Sequence, residues 1–540
     1  MTPLIFVLGL LLGPQQIAAK QAPQAHRIAG IVVDAVTGAP VIRAEVSISG
    51  GEEHEETATR EDGRFILEGL EGGKKYSLSA TAPGYVRESY NQHWAYATSI
   101  AVGVGIDSEH LVFHLHPQAV IYGVVTDESG EPVRKAEILL FGIQPTNGRR
   151  IPSMRGSTQT NDLGTYRFAH LSAGKYFIAV NARPWYAETI LKYSVAASQE
   201  SHSAASNANS VLDMVYPVTF YPGVTDEHSA GGLNMRAGEK EEADIQLSAV
   251  PSVHMRVTGP PGDENASFSI RATQKLFGSF AVNLNAAQSQ IVPGEYELGG
   301  LPPGQMTLTL NQTSDKGSST RTIAASVGAE DTLDAADAPT DANVSGRVIS
   351  PTGGTPSVQA VMFEGQGDQI FFAQLQKDGT FSLPPVGMGT YKIFVRSNDA
   401  EYVQRISAVG AKTSGHELTI ETPGDVQLTV NVSQGLGQVK GVVRVDGNPA
   451  AGVMVLIAPE SGENLEEHMR MDQSDSDGTF TLPGIVPGKY LLMAIQDGWN
   501  LEWANWSVLQ PYREKAQALQ IAPNQNETVT VDAQRVINPN

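Results

Sequence analysis

"GTFSLPPVGMGTY", running from Gly379 to Tyr391, is spelled almost again as "GTFTLPGIVPGKY" from Gly478 to Tyr490. The opening glycine, the aromatic, the Leu-Pro pair and the final Gly-x-Tyr fall at the same spacing. Looser copies stand elsewhere: "GRFILEGLEGGKKY" (Gly63–Tyr76, with one extra residue before its Tyr), "GTYRFAHLSAGKY" (Gly164–Tyr176) and "GEYELGGLPPGQM" (Gly294–Met306). Self-similarity of this kind marks a repeated structural unit and has to be read before any single element.

The template has a local physical meaning. A turn ending in glycine (Asp62-Gly63, Asp378-Gly379, Asp477-Gly478) supplies the positive φ of a tight hairpin. The aromatic and the apolar residue two positions later then share one face of a strand, so Phe381 and Leu383 point inward and Thr380 and Ser382 outward. The Leu-Pro or Leu-Ser stretch is a bend, and Gly-x-Tyr opens the next strand, as in "KYFIAV" and "KYLLMAI".

Upstream of each copy lies a strand, a Gly/Pro turn and a second strand, as in "IAGIVVDAVTGAPVIRAEVSI" (Ile28–Ile48) and "VKGVVRVDGNPAAGVMVLI". The glycines inside the first strand (Gly30, Gly123, Gly346, Gly441) predict a bulge or a close backbone contact. The third unit, starting near Val253, lacks that glycine and is a degenerate copy. Each unit closes on an alternating strand, such as "HLVFHLH" or "ETVTVDA", that leads almost directly into the next.

Short strands with turn signals every ~8–12 residues predict β-sandwiches. The expected fold class is all-β, a semi-rigid string of about five Ig-like antiparallel sandwich modules. Their expected bounds are 27–117, 118–250 (with a loop insert at 185–235), 251–337, 342–433 and 437–536. Helical periodicity is confined to Glu188–Ala197 and Trp499–Val508.

Net charge is 37 − 58 = −21, which repels nucleic acid and anionic membrane surfaces. Cysteine is absent, which excludes disulfides, thiolate metal sites and cysteine nucleophiles. The apolar run Leu4–Gly13 falls short of the ~20 residues a membrane span needs. With Ala18–Ala19 after it, the run predicts a signal peptide over 1–19 and a secreted, periplasmic or extracellular chain.

The two recurring elements together resemble the carboxypeptidase regulatory-like domain, a transthyretin-like sandwich grouped with carbohydrate-binding-like folds. The resemblance is carried by "GIVVDAVTGAPVIRAEVSI … TREDGRFILEGLEGGKKYSLSATAPGY" (Gly30–Tyr85), by "GVVTDESGEPVRKAEILL … TNDLGTYRFAHLSAGKYFIAV" and by the fifth unit. It implies a non-catalytic module outside the cytoplasm. The peptidase chemistry in the family's name is not implied, because no histidine is followed by Glu three residues later.

Three further stretches carry residue types suited to chemistry. His114 and His116, on one strand face near His110, offer two imidazoles, and their plainer reading is solvent-facing alternation with Phe113 and Leu115. "DQSDSDGTF" (Asp472–Phe480) has the carboxylate density of a calcium loop, against a plain hairpin turn. "GWNLEWANW" places Trp499, Trp503 and Trp506 at helical i, i+4, i+7 spacing. The matching stretch of the first unit carries Tyr90 and Trp94. Tryptophan stacks on sugar rings without ionic help. These five residues are the candidate ligand platform, against the alternative that they cap the sandwiches. The expectation is a binding protein without enzymatic activity, metal or cofactor. Its expected partner is a polysaccharide or a cell-envelope protein, the alternative being a spacer or adhesin scaffold.

Overall fold

The computed structural model describes residues 26–537 apart from 188–210, 260–266, 351–356, 366–369, 398–400 and short breaks at 52, 147, 279, 293, 315–316, 329–331 and 463–464. The 1–19 leader and the Glu188–Ala197 helix lie outside the described residues.

The strands form five successive sandwiches, each of two facing sheets, here called modules 1 to 5. In module 1, Arg64–Leu70, His26–Asp34 and Leu111–Leu115 make one sheet, and Glu53–Ala58, at an edge, Glu45–Gly50 and Lys75–Thr81 are successive strands of the other. Module 3 carries two four-stranded sheets despite its divergent sequence. Hairpin neighbours are antiparallel. The closing strand, however, returns beside the first strand and runs parallel to it in every module, as Leu111–Leu115 does beside His26–Asp34 and Asn526–Asp532 beside Gly437–Val445.

That parallel pair explains the first-strand glycine. A Cβ on Gly30, Gly123, Gly346 or Gly441 would lie 2.2–2.3 Å from a carbonyl oxygen of the closing segment. On the other side, the same glycine faces the aromatic of the repeat: Gly30 opposite Phe65, Gly123 opposite Tyr166, Gly346 opposite Phe381 and Gly441 opposite Phe480. The Phe381 and Phe480 rings lie over their glycines, 2.6 and 2.8 Å from where a Cβ would be. The two motifs are therefore one packing unit, an aromatic covering a bare stretch of backbone. In module 3 Val257 stands opposite Tyr296 instead.

The marker glycines behave as their turns require, with φ of +76° (Gly63), +70° (Gly164), +88° (Gly294), +79° (Gly379) and +78° (Gly478). The Asp or Asn before the turn accepts from the backbone N–H two residues on, as Asp378 Oδ1 does from Thr380 (3.1 Å) and Asp477 Oδ1 from Thr479 (3.0 Å).

The final Tyr has a role that its spacing fixes. Its hydroxyl donates to the bend carbonyl four residues back: Tyr176 to Ser172 (2.8 Å), Tyr391 to Gly387 (2.7 Å) and Tyr490 to Val486 (2.7 Å). In module 1, with its extra residue, Tyr76 Oη accepts from Glu71 N (3.1 Å). Tyr490→Phe should lower the stability of module 5 by about 1 kcal/mol, the net worth of one such bond. Urea unfolding of wild type and variant checks it, and an unchanged midpoint would remove the hydroxyl from the account.

Each sandwich has its own core between its sheets, for example Ile28, Val32, Phe65, Tyr76 and Phe113 in module 1. One outer face is covered too in modules 2 and 5. In module 2 Leu139, Phe141 and Phe220 turn away from their own core and join that of module 3, where Phe277 meets Phe141 edge-on with ring centroids 4.9 Å apart. In module 5 Met454, Leu456, Met493 and Ile495 form an outer cluster beneath the tryptophan-rich segment.

The chain consequently does not remain an extended string. Module 5 touches modules 1, 2 and 4. The module 1 contact is a belt of hydrogen bonds: Ser476 N to Ser99 O (2.9 Å), Ala101 N to Ser476 Oγ (2.8 Å), and Gln473 Nε2 to Asn91 O (2.7 Å) and Thr98 Oγ1 (2.8 Å). Lys75 adds an ion pair with Asp475. Thr98, Gln473 and Ser474 are all buried there, and each is bonded. The expectation of a string overlooked this because the partners lie nearly 400 positions apart.

Candidate functional site

The stretch Trp499–Val508 is not one helix. Gly498–Asn500 is a single 3-10 turn, and an α-helical turn spans Trp506–Leu509, capped by Asn505 Oδ1 accepting from Ser507 N. The tryptophans therefore do not share one helical face. Trp499 is 6% exposed. Its ring stacks on His93 of module 1, with centroids 4.8 Å apart and planes at 8°, and its carbonyl accepts from Trp94 Nε1 at 3.0 Å. Trp503 packs on Gly148 at the tip of a module 2 hairpin, where Ala504 N also donates to Gly148 O (3.2 Å). Tyr90 belongs to the module 1 core, edge-on to Phe113 at 5.7 Å, and burial raises its hydroxyl pKa. Trp94, Trp499 and Trp503 thus lie where modules meet, and Trp506 alone among the five candidates reaches an open cavity.

That cavity is a cleft of about 1070 Å³ between modules 2, 4 and 5. Module 2 contributes Gly148–Ile151, module 4 a wall of Met362, Glu364, Phe372, Lys392 and Phe394, and module 5 Gly462, Glu502, Asn505 and Trp506. Trp506 lies against Gly462, whose absent Cβ would be 2.7 Å from the indole. Phe372 is 59% exposed, on a strand whose alternate residue Ala373 is buried. The cleft thus combines aromatic faces with Arg149, Arg150 and Lys392 on one hand and Glu364, Glu417 and Glu502 on the other.

Where modules 4 and 5 meet, His416 hydrogen-bonds Glu467 through Nδ1, and the His468 ring stands edge-on to His416 at 6.2 Å. Burial by itself would lower the His416 pKa, but the hydrogen bond and charge of Glu467 outweigh it and hold it above the ordinary value. Burial dominates at His468 and lowers its pKa. Sequence reading missed this group because His416 and Glu467 are 51 residues apart, in different modules.

The other sequence candidates are absorbed by structure. Asp475 faces Lys75 and Ser99 N, Asp477 caps Thr479, and Asp472 accepts from Gln473 N and Thr481 N. The three carboxylates are thus committed to hairpin and interface. His110 turns to Asp107 and His116 to Glu88. A buried quartet at the joint of modules 2 and 3 resembles a catalytic triad only in composition. Ser252 Oγ donates to Asp213 rather than to the imidazole, and His254 is held by Asp213 through Nε2 and by Glu297 through Nδ1 (2.9 Å). His254 Nε2 also lies 3.5 Å from Ser252 Oγ, but both imidazole nitrogens are engaged by carboxylates, so the arrangement reads as a lock joining the two modules.

The family model of the carboxypeptidase regulatory-like domain matches residues 27–114 and again 120–207. The first two modules are carboxypeptidase regulatory-like domains. A second model, described as the BOS complex subunit NOMO1-like second beta sandwich domain, matches residues 435–518, within module 5. No curated protein matches the chain in sequence. Among solved structures it is similar to the Bacillus anthracis TIE protein (11% identity, 94% of this chain, 68% of that one, TM-score 0.15). It is also similar to BcpA, the major pilin subunit of Bacillus cereus (10% identity, 77% and 99%, TM-score 0.14). The RrgB pilus protein of Streptococcus pneumoniae is a third (8% identity, 78% and 99%, TM-score 0.15). Scores this low carry no inference about the arrangement or role of this chain. Among the described residues no helix is long and apolar enough to cross a membrane.

Proposed function

We propose that this multi-module β-sandwich protein is an exported, non-catalytic scaffold that binds a saccharide in the cleft between modules 2, 4 and 5. The observation that carries the reading is the lining of that cleft. The faces of Trp506, Phe372 and Phe394 stand among planar charged and amide groups. Aromatic faces suit the apolar side of a sugar ring, and the interleaved Arg, Glu and Asn side chains suit its hydroxyls. Export rests on the apolar run Leu4–Gly13 and the small residues Ala18–Ala19 that follow it.

A glycan array with the full chain, beside Phe372→Ala and Trp506→Ala variants, tests the reading. Phe372 is exposed, so its loss should leave folding intact while weakening binding about tenfold, or about 1.4 kcal/mol. Binding that survives both substitutions would move the site elsewhere. No glycan bound by the wild type would favour the second reading, a spacer with a protein partner, which the interlocking of module 5 with three others also supports.

A further inference from the structure

We propose that His416, Glu467 and His468 form a binding site for a late first-row divalent cation, zinc above all, at the joint of modules 4 and 5. One ligand atom from each residue lies within 4.8 Å of the other two. Zinc held at ~2.0–2.2 Å by imidazole and carboxylate sets tetrahedral ligands about 3.4 Å apart. His468 Nε2 is already 3.7 Å from Glu467 Oε1.

One observation points to a ligand rather than to a plain polar cluster. His468 Nε2 is buried and has no hydrogen-bond partner among the described residues, an expensive arrangement that a metal would relieve. Arg470, the nearby cation, is turned to the carbonyls of Gly484, Glu467 and Met469 at 2.7–3.0 Å.

Two neutral imidazoles and one carboxylate give a dication three protein ligands and a residual single positive charge. A fourth position would be left for water or a ligand oxygen, as in open zinc sites. His416 and Glu467 both line the cleft, so that position would face it. Binding would exchange the present His416–Glu467 hydrogen bond for two metal bonds and would pin the hairpin around Gly415 to the one-turn helix Leu465–His468. The inference does not depend on saccharide binding.

The test is titration of tag-free, chelator-treated full-length protein with Zn²⁺, read by calorimetry and by bound metal per chain. One tight zinc per chain and a raised melting temperature are expected. The double variant His416→Ala/His468→Ala should lose at least about 100-fold in affinity. With 12 histidines in the chain, that variant also sets the background of weak surface binding. Co²⁺ should give the intense visible bands of a four-coordinate site in the wild type and lose them in the variant. Zinc bound no more tightly by wild type than by the double variant would overturn the proposal. Should the double variant not fold, His468→Gln serves the same comparison, and unchanged zinc affinity there overturns it equally.

Discussion

Trp499→Ala should open the molecule. The indole is the point where module 1 rests on module 5: His93 stacks on one face, Tyr96 lies 5.8 Å from it, and the Trp499 carbonyl holds Trp94. Beneath it are Met454 and Ile495 of the outer cluster. Truncating a buried tryptophan to alanine removes about 3–5 kcal/mol. Here the loss falls on the closure as well as on module 5. Small-angle scattering should show a larger radius of gyration and a longer maximum dimension in the variant. Gln473→Ala, which removes the hydrogen bonds to Asn91, Thr98 and His93 of module 1, should move scattering in the same direction. A variant that melts earlier but keeps the wild-type scattering curve would show that closure rests on the hydrogen-bond belt alone.

His254→Leu should be comparably severe at the joint of modules 2 and 3. The side chains of His254 and Asp213 are 9% and 10% exposed, and that of Glu297 is 4% exposed. Leucine keeps the volume but strips two buried carboxylates of their shared imidazole. Breaking a buried charged pair by removing one partner costs about 3–5 kcal/mol, because the remaining charge stays desolvated. Differential scanning calorimetry of the full chain should show the transition of modules 2 and 3 displaced and the others in place. A loss below about 1 kcal/mol would mean that water or a rearranged side chain takes over from the imidazole.

The repeat was legible because its chemistry is local. Gly478 and Asp477 make their turn within a few residues, and Tyr490 finds its carbonyl four residues back. Gly441 and Phe480 lie farther apart in sequence, but they recur as a pair in four modules, so the register that joins them was implicit in the spacing. The in-module role of one conserved-looking polar position was less visible. Thr59, Thr160 and Ser474 each stand four residues before their marker glycine and bond the backbone on both sides of a turn, as Thr160 Oγ1 does with Val133 O (2.6 Å) and Ala136 N (2.9 Å). Aligning the repeats one turn further upstream would have exposed it.

The tryptophan cluster shows the opposite case. Its spacing was right for a helix, and its composition was right for a platform. But the left-handed backbone at Asp497 (φ 56°) and the break before Asn505 scatter the three indoles among different neighbours. A signal for this did exist. "MVLIAP" (Met454–Pro459) is buried at every position, so the strand lacks the alternation of a half-solvated sheet. An uninterrupted apolar strand states that its second face is covered, without stating by what.

From sequence alone, then, came the kind of module and its number, because turns, glycine–aromatic pairs and tyrosine bonds are set by residues inside one unit. Tertiary structure alone decided that module 5 gathers modules 1, 2 and 4 around it, that a cleft opens among them, and that His416 meets Glu467 and His468. Those contacts join surfaces from different units, and their pairing depends on three-dimensional complementarity that no local periodicity encodes.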